Sequence, residues 1–191
     1  MNKSKRIKSI IFLTFILIST LISYNCERDD ICAESTPTTP RLLVEFYDAT
    51  EQDELKSVTR LTAYGEDLAD NPTDENTEGT LIFNTNARAI ELPLFIGVEG
   101  ETTISRFILE KDTNLRLNDN PNNNSNIDII EIEYTTEFKY VSRACGYKSV
   151  FNLIDVEINP DGDDDDLWIE SEEIIEILVE NENTVHVHIF H

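Results

Sequence analysis

Apolar and polar residues alternate along much of this 191-residue chain. Leu42, Val44 and Phe46 share one side of a two-residue repeat, the pattern of a half-buried strand. Ile130, Ile132 and Tyr134 repeat it against Glu131 and Glu133, and Ile154, Val156 and Ile158 against Asp155 and Glu157. Residues 57–64, 80–84, 89–94, 102–110 and 138–142 are shorter β-branched or aromatic stretches that read as further strands, the second and third separated by a turn at Asn84-Thr85-Asn86. Residues 65–79 and the Asn-rich 114–126 read as loops. Residues 171–179 fit either a helical face (Ile174, Ile175, Leu178, Val179, with Ser171 as cap) or a strand (Ile175, Ile177, Val179). Their β-branched content favours a strand that turns at Glu180–Asn183 and pairs with 184–190. Many short strands with polar turns predict an all-β fold, an antiparallel β-sandwich in a single domain.

The first forty residues follow different rules. Lys3, Lys5, Arg6 and Lys8 precede an uncharged apolar run from Ile10 to Ile22, followed by Cys26. A basic head, a short apolar run and a cysteine describe an export signal, the run being short of the 20 or so residues a spanning helix needs. The expected organisation is a signal peptide over 1–25, a tether over 26–40 and the β-sandwich domain over 41–191. Glu34–Pro40, rich in Thr and Pro, would be an extended spacer. The segment resembles a bacterial lipoprotein signal, with Cys26 as the lipidation site, although Ser23 and Asn25 replace the usual Leu and small residue. An ordinary secretory peptide or an uncleaved anchor is the plainer alternative.

Charge narrows the partners. The chain carries 38 acids against 15 Lys and Arg, a net charge of −23. The balance argues against nucleic acid as a partner, because phosphates call for clustered cations, and equally against adhesion to anionic lipid through the average surface of the domain. The membrane would be reached through a lipid anchor at Cys26, leaving an unidentified protein or glycan as partner. A hydrophobic content of 40% is too high for a disordered acidic tail.

Few residues offer chemistry. The three histidines, His186, His188 and His191, all fall in the last six positions, which removes most imidazole-activated nucleophiles. On a strand His186 and His188 would share a face and could ligate zinc with a third ligand; an exposed pair on the outer face of the last strand is the simpler expectation. Asp161–Asp166 is the densest acidic stretch. Asp161, Asp163 and Asp165 could hold calcium, but with Gly162 at the sixth loop position the closing glutamate position falls on Trp168. A solvated turn is therefore expected, with no required cofactor, and Trp168 is expected in the core. Paired carboxylates of a hydrolase are a third alternative. The leading expectation is a non-enzymatic binding or accessory module. Once Cys26 carries lipid, two cysteines remain in an oxidising compartment, so Cys32 and Cys145 are expected to form a disulfide.

Cys26-Glu-Arg-Asp-Asp-Ile-Cys32, Leu43–Asp48 and Ser142-Arg-Ala-Cys-Gly-Tyr147 resemble an uncharacterised family of Bacteroidetes lipoproteins bearing a domain of unknown function. The resemblance implies an outer membrane lipoprotein of the cell envelope and no particular activity. The acidic run after Cys26 is similar to tags that direct such lipoproteins to the cell surface, with the periplasmic face as the alternative.

Overall fold

The computed structural model describes Cys32 and residues 39–66, 68, 71–118, 124–160 and 166–191. The described residues include ten strands: β1 (Leu42–Tyr47), β2 (Val58–Gly65), β3 (Thr80–Ala87), β4 (Ala89–Leu92), β5 (Thr102–Lys111), β6 (Asn126–Ser142), β7 (Gly146–Pro160), β8 (Ser171–Ile174), β9 (Leu178–Val179) and β10 (Val187–Phe190). They form a four-stranded sheet, β4-β1-β10-β8, and a six-stranded sheet, β3-β2-β5-β6-β7-β9. Apolar residues of the two sheets share one core cluster, giving the expected all-β sandwich. One helical turn, Thr113–Arg116, interrupts the loop expected over 114–126.

The alternation in β1 buries Leu42, Val44 and Phe46 completely, and the same period in β6 buries Ile130, Ile132 and Tyr134. β1 pairs in parallel with β10, Val44 opposite Val187 and Phe46 opposite Ile189. A parallel pair needs a crossover, and here everything between residues 47 and 187 supplies it. The opening and closing strands of the domain thus lie side by side in the middle of the smaller sheet.

Three expectations need correction. Strands 80–84 and 89–94 are not separated by a turn at 84–86: β3 continues to Ala87, opposite Val58, and β4 starts at Ala89, opposite Glu45 in the other sheet. The chain changes sheets at Arg88, whose carbonyl accepts from Phe46 N–H at 2.9 Å. Residues 171–179 are not one arm of a hairpin either. β8 pairs with β10, Ile174 opposite Val187, whereas β9 crosses to pair with β7, Val179 opposite Phe151. Ile175 and Ile177 lie in the crossing and are exposed. In β7 the inward positions are Phe151, Leu153 and Val156, and the adjacent Ile154 and Asp155 both face solvent. One extra residue shifts the phase, as in a bulge, so Ile154 does not join Val156 in the core.

Candidate functional site

Cys145 lies in the turn between β6 and β7. The Ser142–Gly146 turn belongs with Cys32 to a small unit separate from the sandwich. Gly146 has φ of +69°, a conformation that costs a side-chain-bearing residue energy. Cys145 N–H donates to Ser142 Oγ at 3.0 Å, holding the turn closed. The Cys32–Cys145 disulfide is formed, with Cα atoms 4.7 Å apart across a sequence separation of 113. Cys26 lies outside the described residues.

The histidines are not an exposed pair. His186 is fully buried; its Nδ1 accepts Leu43 N–H at 3.0 Å, and its backbone N–H donates to Leu43 O. Accepting at Nδ1 places the ring proton on Nε2, and burial lowers the pKa, keeping the ring neutral. His188, in β10, stacks on Tyr47 with ring centroids 4.3 Å apart. The exposed-pair expectation fails because His186, just before β10, is drawn onto the Leu43 backbone of β1, and His188 is covered by the Tyr47 ring. Among the described residues no three His, Cys, Asp or Glu side chains converge as a metal site. Asp161, Asp163 and Asp165 lie outside the described residues.

Two carboxylates that the pattern did not single out are wholly buried, Glu110 and Asp128. Glu110 is clamped by Arg116, whose Nε and Nη2 donate to its two oxygens at 2.7 and 2.8 Å. Thr113 Oγ1 donates to Oε2 at 3.2 Å and Ser125 Oγ donates to Oε1. Arg116 Nη2 also donates to Pro72 O at 2.8 Å. The cluster ties the 72 loop and the segment at 125 to the helical turn.

Asp128 Oδ2 accepts the backbone N–H groups of Trp168 and Ile169 at 3.0 and 2.8 Å. Its Oδ1 is buried with no hydrogen-bond partner among the described residues. Burial pushes its pKa up to about 6, against the two amides. Trp168 is in the core as expected, donating from Nε1 to Leu109 O and packing on Phe46 and His191. Leu109 lies opposite Asp128 and Glu110 opposite Ile127, so the two carboxylates sit on opposite faces of the larger sheet. They cannot flank one bond as a hydrolytic pair must.

A sequence-family model, a family of unknown function (DUF6452), matches residues 61–191, from within β2 through β10. No curated protein and no solved structure matches the chain.

Proposed function

The chain belongs to the DUF6452 family of unknown function, and we propose that it serves as a lipid-anchored β-sandwich of the bacterial cell envelope, a non-enzymatic binding or accessory module. The observation that carries this reading is the Cys32–Cys145 disulfide. Disulfides persist in oxidising compartments, and this one ties the chain six residues after Cys26 to a turn at residue 145. The basic head, apolar run and Cys26 supply the route out of the cytoplasm. A bacterial lipoprotein acquires several acyl chains, enough for a stable hold. The similarity to Bacteroidetes lipoproteins and the acidic run after Cys26 favour the outer membrane, facing outward.

Cys26→Ser in the full chain, expressed in an envelope-bearing host, should move the protein from the detergent phase to the aqueous or unprocessed pool. The wild-type N-terminal peptide should carry the mass of attached acyl chains. A cleaved, unmodified N-terminus on protein that stays with the membrane would remove the anchor from this account.

A further inference from the structure

The acidic average of the chain hides one stretch of opposite character. From Phe138 to Ile154 there are 17 residues with no Asp or Glu and with three cations, Lys139, Arg143 and Lys148. Downstream of Cys26 no other acid-free run is as long. The stretch is the end of β6, the turn and most of β7. Phe151 points into the core, but the two tyrosines are exposed, Tyr140 to 59% and Tyr147 to 64%. Their rings meet edge-on across the two strands at 5.5 Å, and neither hydroxyl has a hydrogen-bond partner among the described residues. Lys139 pairs with Glu180 and Lys148 donates to Glu180 O, while Arg143 is exposed in the turn with no such partner among the described residues.

Tyrosine on a surface with its ring in solvent and its hydroxyl unpaired suits the lipid–water interface, where one end is apolar and the other wet. Nearby Lys and Arg are drawn to anionic headgroups, and acids are repelled. Chain length makes the contact reachable. Cys32 follows Cys26 by six positions, which at the limit of extension is roughly 20 Å, and Tyr147 follows the disulfide-bonded Cys145 by two residues. We propose that the Tyr140–Tyr147 pair rests on the bilayer that holds the anchor, an anionic lipid surface. The inference rests on lipidation at Cys26.

The test uses the full lipidated chain with Tyr147→Trp, reconstituted in phosphatidylglycerol-containing vesicles with and without brominated acyl chains. Trp168, only 7% exposed in the core, supplies a constant background. Leu81→Trp is the control. Ile82, beside it, lies level with Asp128 through the pairings with Ala63 and Leu109. Asp128 is twelve residues from Tyr140 along β6, roughly 40 Å. Brominated lipid should quench Tyr147→Trp by a third or more and leave wild type and Leu81→Trp unchanged. Tyr140→Trp should repeat the result, and provides the reading if Tyr147→Trp folds poorly. Protein that carries lipid and floats with vesicles, yet shows no quenching at either position, overturns the contact and leaves the anchor standing. Protein that neither carries lipid nor floats defeats the anchor and the contact together.

Discussion

Glu110 and Asp128 stand on neighbouring strands, one step out of register with each other, and both are completely shielded from solvent. Their surroundings have little else in common. Glu110 lies on the outer face of the larger sheet, covered by loops that bring an arginine fork and two hydroxyls. Asp128 lies on the inner face, where the only donors reaching it among the described residues are two backbone amides, both on one oxygen. Burial disfavours a carboxylate unless enough donors replace the lost water. Donor count, rather than depth, therefore separates the two sites. The first site is a stapled ion pair that fixes loops; the second is a core carboxylate that holds its proton up to about pH 6.

Breaking the staple should give the largest effect. Arg116→Met leaves Glu110 buried among apolar groups with two hydroxyl donors, and stranding one member of a buried pair costs about 3–5 kcal/mol. Urea unfolding at pH 7 measures it. A loss below about 1 kcal/mol would mean that the covering loops open and let water replace the guanidinium, which would erase the contrast with Asp128.

Asp128→Asn should act in the opposite direction. The folded-state pKa is raised from 3.8 to about 6, so between those values the native state binds more protons than the unfolded chain. Stability then falls as pH rises through that window and the full cost is present above it. Two units correspond to roughly 2–3 kcal/mol. The asparagine should recover up to that amount at pH 8 and almost none at pH 4. His186 and His191 run the other way: burial lowers both pKa values, so their contribution is present above the unfolded value of about 6.5 and fades as pH falls below it. Subtracting the wild-type stability curve from that of the variant isolates Asp128 from this opposing slope. A gain independent of pH would show that shape, not charge, explains the substitution.

Part of this contrast is written in the chain and part is not. Asp128 occupies the same phase as Ile130, Ile132 and Tyr134, so its inward position follows from the alternation that identifies β6. An acid in an apolar phase is the signal that marks the position. Glu110 falls in the outward phase of β5 with Ile104 and Arg106; nothing local says that the 72 loop and residue 125 will cover it. Non-local pairing also explains the other misreadings. Residues 184–190 alternate as a strand, but periodicity cannot say that β10 will lie against β1 rather than against its neighbour in sequence. It therefore could not reveal that His186 would be buried. The disulfide was legible from cysteine number and an export signal, because those constrain chemistry rather than geometry. The added residue at Ile154–Asp155 was not, since a bulge is set by the partner strand as much as by its own residues.

The smallest effect asks how much of the Glu110 site depends on its neutral members. Thr113 is fully buried, and its hydroxyl lies 2.8 Å from Thr62 Oγ1 and 3.2 Å from Glu110 Oε2. Thr113→Val keeps the volume and branching and removes only the hydroxyl. The atoms left behind keep other partners: Oε2 still accepts from Arg116 Nη2, and Thr62 Oγ1 still accepts Asn84 N–H at 2.9 Å. No buried polar atom is orphaned, so the cost should stay near that of one neutral hydrogen bond, about 1 kcal/mol, below the penalty for an unsatisfied group. Asp128 shows the other case, an oxygen without a donor inside the core. Combining Thr113→Val with Arg116→Met completes a double-mutant cycle. Near-additive losses would confirm that the guanidinium alone decides the state of Glu110. A single-variant loss above about 3 kcal/mol, or strong coupling, would mean that hydroxyls and guanidinium hold the carboxylate as one cooperative network, and donor number alone would no longer distinguish the two sites.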